Sequence, residues 1–328
     1  MTITHGGDIF SIARARGWDW REVLDFSASI NPLGPSPRVR PAIEQALDEI
    51  VHYPDRDAAR LTSRLAEEWS VRPEQVLLGN GATELIHFLA VHWRHDTVAI
   101  AVPTFSEFHR AYPKARCVPW SVPHLWPSEG LLILAQPNNP TGAILDPEFP
   151  RRRSGSLLID ESFIDFSEIP SLTGSGCMVL RSLTKFYALP GLRIGALVGP
   201  AREIGLLREC RPPWQVNVLA EAVALATLED AGHARMSRAF IAEERSRLWK
   251  ELGQLDGIDP LPTHANFYFV RLHYPSAPLC RWMLEHKIIL RDCTGWPGVD
   301  FSAVRFAIRS HAENSKLLEL WKEYPCAA

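Results

Sequence analysis

No stretch of this sequence reaches the roughly 18 consecutive apolar residues that a membrane-spanning helix needs. Its opening, Met1-Thr2-Ile3-Thr4-His5-Gly6-Gly7, lacks the charged-then-apolar order of a secretory signal, so a cytoplasmic protein is expected. Six cysteines (Cys117, Cys177, Cys210, Cys280, Cys293 and Cys326) lie far apart with no C-x-x-C pair, which fits reduced thiols and not a disulfide frame or a zinc site. Neither sign of charge dominates: 35 Lys and Arg against 38 Asp and Glu leave a net charge of −3. Such a chain has no global field to gather nucleic acid or an anionic membrane, and the expected partner is a small molecule. Cofactor signatures are missing too. No G-x-G-x-x-G follows a strand, and neither G-x-x-x-x-G-K-[ST] nor H-E-x-x-H occurs, which withdraws the nicotinamide, P-loop and zincin readings. His87, His92 and His95 share one amphipathic stretch, but their i, i+5, i+8 spacing does not converge on one ion, and no metal is expected. The run Arg151-Arg152-Arg153 reads as a solvated face.

What is present is an ordinary globular composition, 46% hydrophobic and 22% charged, over 328 residues, long enough for two domains. Helical spacing of Val39, Ile43, Ala46, Leu47 and Ile50 predicts a helix over 38–50, and Leu61, Leu65 and Trp69 predict another over 57–69. A short apolar run at 75–79 then breaks at Asn80-Gly81 before a helix over 82–93. Runs rich in Val, Ile and Leu recur at 97–102, 131–135, 156–159, 178–181 and 194–198. Apolar on both faces and separated by helices or loops, they predict a largely parallel sheet covered on both sides, an α/β fold. Past Pro200, long helical stretches at 215–229 and 233–254 dominate, followed by strands at 266–272, 288–290 and 304–308, an α+β arrangement. The expected division is a segment 1–34 that joins the smaller unit, a large domain over 35–215 and a small α+β domain over 216–328.

Polar residues fall where a parallel α/β sheet presents its ligand, beyond the carboxyl ends of strands. Gly81-Ala82-Thr83 leads from a strand into a helix N-terminus, where free N–H groups and the dipole favour phosphate, although an ordinary strand-to-helix turn reads the same way. Pro137-Asn138-Asn139-Pro140-Thr141-Gly142 follows the strand at 131–135 and offers Asn139 as an amide donor. Asp160 ends the strand Leu157-Leu158-Ile159, where a carboxylate can serve a ligand or cap the next turn. Ser182, Thr184, Lys185 and Arg193 lie within twelve positions. Two hydroxyls, an amine and a guanidinium suit an aldehyde-bearing phosphate ester, with Lys185 forming a Schiff base and the other three holding the phosphate.

Taken in order, N-N-P-T-G, D-E-S-F-I-D-F and S-L-T-K-F-Y-A-L-P-G-L-R-I-G resemble the fold-type I pyridoxal-phosphate enzymes of the aspartate aminotransferase superfamily, over nearly the whole chain. The resemblance implies pyridoxal 5'-phosphate as cofactor and a large domain, its mostly parallel sheet flanked by helices, beside a smaller α+β domain. It implies that Lys185 is the Schiff-base lysine, that Asp160 pairs with the pyridinium nitrogen and that Asn139 bonds the ring 3-oxygen. Phe105, in Pro103-Thr104-Phe105, stacks on the ring in preference to Phe108, and Gly81, Ala82 and Thr83 join Ser182, Thr184 and Arg193 around the cofactor. A carboxylate beside the ring nitrogen keeps it protonated, which the cofactor needs to act as an electron sink. Tyr53, in His52-Tyr53-Pro54-Asp55, resembles the tyrosine that family members extend across a dimer interface to the neighbour's cofactor phosphate, so a homodimer with its sites at the interface is expected. Without the family, Tyr53 is an extended-loop residue before a proline.

Within the superfamily, His5-Gly6-Gly7 and Asp25-Phe26-Ser27-Ala28-Ser29-Ile30-Asn31-Pro32-Leu33-Gly34 resemble the start of the threonine-phosphate decarboxylases, and Phe163 stands where histidinol-phosphate aminotransferases usually carry a tyrosine. This implies decarboxylation of L-threonine O-3-phosphate to (R)-1-aminopropan-2-ol O-phosphate in cobalamin biosynthesis, with histidinol-phosphate transamination as the alternative. Arg291 and Arg305 match the substrate-phosphate and substrate-carboxylate arginines, Arg309 assists, and Asn31 and His5 are further substrate contacts. A non-catalytic partner or regulator on the same fold needs none of Asn139, Asp160, Lys185 and Arg193, and a separate DNA-binding module is not expected. Twenty-one positions separate Asn139 from Asp160, fewer than the family leads one to expect, so the crossover helix between their strands is expected to be lost.

Overall fold

The computed structural model describes residues 6–146 and 148–325. The described chain starts with α1 (Ile9–Arg16) and a two-residue strand, β1 (Leu24–Asp25), followed by α2 (Val39–Ala46) and α3 (Ala59–Glu68). Next come β2 (Val76–Gly79), α4 (Ala82–His92), β3 (Val98–Val102), α5 (Ser106–Ala111), β4 (Arg116–Pro119), β5 (Leu131–Ala135), β6 (Ser156–Asp160), β7 (Met178–Ser182), β8 (Gly195–Val198) and α6 (Ala201–Glu209). Strands β2 to β8 form one seven-stranded sheet in the order β2-β8-β7-β6-β5-β3-β4. Every residue of β2, β5 and β8 is buried, which is why these runs show no polar alternation in the sequence.

The sheet is largely parallel, but β8 runs antiparallel to both of its neighbours, β2 and β7. The run at 194–198 therefore enters the sheet reversed. Its link from β7 carries a single short helical turn, Pro190–Leu192, and doubles back instead of crossing over. Between β5 and β6 the described residues likewise hold only the short turn Phe149–Arg152. Indole rings cover the sheet where a crossover helix would lie: Trp120 and Trp126 are buried there, and Trp126 meets Phe149 edge-on at 4.9 Å. Both indole N–H groups are paired, with Ala135 O and Pro119 O.

One face of the sheet packs against α4, α5 and α6 through Leu85, Leu89, Phe108 and Ile204. The other packs against α3, through Leu61 and Leu65, and against α7 (Val218–Leu228), through Ala220 and Ala224. Helix α7 is thus built into this core as far as Leu228.

The second core is enclosed by α8 (Ala231–Leu252), β9 (Ile258–Pro260), β10 (Phe267–Leu272), α9 (Ser276–Glu285), β11 (Ile288–Ile289), β12 (Arg291–Asp292), β13 (Ala303–Ala307) and α10 (His311–Glu323). Strands β12-β13-β10-β9 form an antiparallel sheet covered by α8 and α10 through Ile241, Leu248, Leu317 and Trp321. The single strand read at 288–290 is split, because β11 pairs in parallel with β1 whereas β12 pairs with β13. Through β1 and the buried Phe26, the N-terminal segment packs with this second core. Among the described residues no helix is long and apolar enough to cross a membrane.

Candidate active site

The register of β6 and β7 places Asp160 beside Leu180. Side chains alternate along a strand, so Ser182, two residues beyond Leu180, projects from the same face as Asp160. Lys185 follows in the loop, and its Nζ donates to Ser182 Oγ at 3.0 Å; Ser182 Oγ and Thr184 Oγ1 are 2.8 Å apart. Burial lowers the Lys185 amine to about 8; Asp160 opposes this, while Arg193 and Arg305 add to it. The Asp160 carboxyl moves the other way, raised by burial although Ser162 donates to it from its N–H (2.9 Å) and its hydroxyl (2.5 Å) and Lys185 is near. Asp160 therefore caps the following turn through one oxygen and faces the Lys185 side of the sheet as well.

Gly81 has φ +82°, and a Cβ there would collide with the Arg193 guanidinium. A Cβ on Gly195 would lie 2.7 Å from the Ala82 nitrogen. The two glycines let β8, the turn into α4 and Arg193 pack without side chains between them. Arg193 itself sits in the left-handed region at φ 56°, a conformation that costs a non-glycine residue about 1 kcal/mol or more. The hydroxyls of Ser182 and Thr184 and the Arg193 guanidinium thus collect near the lysine, and Arg193 in turn abuts the Gly81 turn that leads into α4.

Asn139 is buried beyond the end of β5, and its Oδ1 accepts from Arg305 Nη1 at 2.5 Å. Arg305 also donates to Ser27 O at 2.8 Å and lies 5.0 Å over the Phe267 ring; burial brings its guanidinium down to about 10. Arg291 is its direct partner across β12 and β13, so both arginines project from one face of the small sheet. The Arg291 guanidinium lies 4.8 Å over the Trp296 ring, and burial lowers its pKa. Phe105 is half-buried at the edge of the α4–α5 core while Phe108 is sealed inside it, which leaves Phe105 as the ring able to meet a ligand.

Other expected residues sit elsewhere. Both Asn31 amide hydrogens go to the chain itself, to Phe186 O at 2.9 Å and Ser237 Oγ at 2.8 Å, and its backbone N–H donates to Lys185 O at 3.0 Å. Asn31 thus braces the N-terminal segment against the lysine loop and α8. Arg309 is similarly engaged with Asp25 O and Glu313. Tyr53 is 79% exposed and stacks on Trp214 at 4.6 Å on the molecular surface. His5 lies outside the described residues. The sequence reading missed the partners beneath the site, Ser162, Glu161, Asp165 and Arg181. Their signal was the strand alternation that sets Glu161 and Arg181 opposite Asp160 and Ser182.

Pyridoxal 5'-phosphate fits these residues. The phosphate matches a turn with no room for a Cβ, a guanidinium and two hydroxyls; the aldehyde matches an amine brought near neutrality; the ring nitrogen matches a buried carboxylate. The chain is matched over residues 21–320 by the family described as aminotransferase class I and II. It is 36% identical to a threonine-phosphate decarboxylase of Salmonella typhimurium, covering 96% of this chain and 94% of the relative. It is 30% identical to a histidinol-phosphate aminotransferase of Moorella thermoacetica, covering 92% and 86%. The crystal structure of the histidinol-phosphate aminotransferase from Clostridium acetobutylicum superposes with a TM-score of 0.85 at 27% identity, over 92% of this chain and 98% of that one. With the family matched across both cores and the lysine, the carboxylate and the Gly81 turn gathered beyond the strand ends, this chain belongs to the class I and II aminotransferases, enzymes that depend on pyridoxal 5'-phosphate.

Proposed function

We propose that the protein decarboxylates L-threonine O-3-phosphate to (R)-1-aminopropan-2-ol O-phosphate, a step of cobalamin biosynthesis. The observation that carries this reading is the pairing of Arg291 with Arg305, two buried guanidiniums side by side on one face. They suit a substrate with two anionic ends, a phosphate for Arg291 and a carboxylate for Arg305. The 36% identity to a threonine-phosphate decarboxylase and the apolar Phe163, buried edge-on against Phe267 at 5.0 Å, support the same choice.

When bound, pyridoxal phosphate supplies an electron sink for the pair left on Cα as a bond to it breaks. Asp160 holds a proton at the ring nitrogen, and Asn139 holds the ring 3-oxygen. Arg305, fixed by Asn139 and Ser27 O, orients the substrate carboxylate so that the bond from Cα to the carboxylate carbon is the one that breaks and carbon dioxide leaves. Lys185 Nζ then returns a proton to Cα. Tyr53 serves the neighbouring site of a symmetric homodimer.

The test is a pair of assays on one preparation. Threonine phosphate should release carbon dioxide and give the amino alcohol phosphate. Glutamate formed from histidinol phosphate and 2-oxoglutarate, without carbon dioxide from threonine phosphate, reverses the ranking in favour of the aminotransferase.

A further inference from the structure

On the face of β6 and β7 turned away from Asp160 and Ser182 lies a second set of charges. Arg181 precedes Ser182, and Glu161 follows Asp160. The Arg181 guanidinium reaches Asp165 Oδ1 at 2.7 Å and Glu161 Oε2 at 3.7 Å, with side-chain exposures of 4% for Arg181 and 0% for Glu161. Ser171 bridges the two, accepting from Arg181 Nη1 at 3.1 Å and donating to Glu161 Oε2 at 2.5 Å. The Leu172 N–H donates to Glu161 Oε1 at 2.7 Å, and the Trp69 ring, just past α3, lies 4.9 Å from the guanidinium. Asp165 carries the connection to α8, whose Arg238 Nε donates to the Asp165 carbonyl at 3.0 Å.

Burying three charges is costly, and hydrophobic residues of similar volume would stabilise the fold as well or better. The cluster stands at the ends of β6 and β7, one residue from the Asp160 carboxylate and one from the Ser182 hydroxyl. Side-chain alternation along each strand makes the rear charge and the front ligand neighbours in the chain. A shift that breaks the ion pair therefore turns Asp160 and Ser182 with it.

We propose that Arg181, clamped between Glu161 and Asp165, is a positioning residue that fixes the Asp160 carboxylate and the Ser182 hydroxyl from the opposite face of the sheet. The inference rests on the reading of Asp160 and Ser182 as cofactor ligands. With Arg181 gone, Glu161 is a buried carboxylate without its ion-pair partner, and the ends of β6 and β7 that carry Asp160 and Ser182 lose the tie between them.

The experiment uses native, Arg181→Met, Arg181→Lys and Ser171→Ala proteins. It measures the pyridoxal phosphate dissociation constant by titrating apoprotein, the pH midpoint of the holoenzyme's visible band, and the melting temperature of each apoprotein. Arg181→Met should weaken cofactor binding at least tenfold and move the midpoint by about one pH unit. Arg181→Lys, which keeps the charge, should recover part of both, and Ser171→Ala should show the same directions at smaller size. A variant that melts lower but keeps the native dissociation constant and midpoint assigns the cluster to stability alone and overturns the proposal. If Arg181→Met does not fold, the comparison of Ser171→Ala with native decides on the same two readouts. Native protein that takes up no pyridoxal phosphate overturns the reading of the site itself, a result distinct from unchanged affinities in the variants.

Discussion

Lys185 carries a buried amine, the one proposed to meet the cofactor aldehyde, and its lowered pKa of about 8 gives that proposal a kinetic signature. The neutral amine is the form that attacks an aldehyde. Uptake of pyridoxal phosphate by apoprotein should therefore speed up about tenfold per pH unit below about 8 and level off above it, as followed by stopped-flow absorbance. A rate that stays flat between about pH 6 and about pH 8 contradicts the assignment. Borohydride reduction of the holoenzyme followed by peptide mapping should put the label on Lys185, and Lys185→Ala should carry none; a label on Lys114 or Lys250 moves the site. Gly81 makes a second prediction at this scale. Gly81→Ala meets both a φ of +82° and the Arg193 guanidinium, so cofactor affinity should drop about tenfold or more, a loss on the scale of 1–3 kcal/mol for backbone strain, while Gly205→Ala, on an open helix surface, leaves it unchanged.

At the scale of elements, α8 and α10 are joined by Glu244, whose 4%-exposed side chain accepts from Arg247 at 2.7 Å, pairs with His311 at 2.7 Å and accepts from Asn314 at 2.8 Å. Burial pushes this carboxyl up, but those three partners prevail and hold it below the ordinary 4.5. A depressed carboxylate stabilises the fold above its unfolded pKa and loses that contribution as the pH falls, so the Glu244 share should begin to fade as the pH drops below about 4.5 and be gone once the pH is below the folded value. Glu244→Ala should cost about 3 kcal/mol in a urea titration at neutral pH and much less at about pH 3. These elements also mark the limits of the sequence reading. Continuous apolar runs announced β2, β5 and β8 because both faces of each are covered. The edge strand β4, with Arg116 and Cys117 exposed, carries no such run, and β1, β9 and β12 are two or three residues long, too short for any period. The reversal of β8 is a property of its partners and leaves no mark in its own residues. For the site, Lys185, Asp160 and Asn139 could be named from residues at or just past strand ends, and Arg305, in the middle of β13, only from the family resemblance. The internal partners of Asn31, Phe186 and Ser237, left no local signal because they lie 155 and 206 positions away.

The whole molecule presents Tyr53 and Trp214 as an exposed aromatic pair, which the proposed homodimer would cover. Sedimentation should find a dimer at working concentration, and a monomer that keeps its cofactor contradicts it. Mixing subunits offers a sharper check: a Tyr53→Phe chain paired with a Lys185→Ala chain should hold one site of native affinity, because the intact lysine receives the intact tyrosine of its neighbour. Tyr53 acting within its own chain predicts no such recovery.

The N-terminal segment meets partners that come last in the chain. Asp25 and Ser27 accept, through their carbonyls, from Arg309 and Arg305, 284 and 278 positions later, and β1 pairs with β11. At a synthesis rate of about 5–20 residues per second, the first of these groups waits roughly a quarter of a minute to a minute before the second exists. The seven-stranded sheet and its helices can assemble in that interval, since their last member, α7, ends at Leu228. Asn31, which braces the Lys185 loop, belongs to the waiting segment, so the strand that carries this brace is anchored on its other side only once Arg305 and Arg309 exist. A nascent chain stalled before Arg305 should hold a folded large sheet and still fail to retain pyridoxal phosphate.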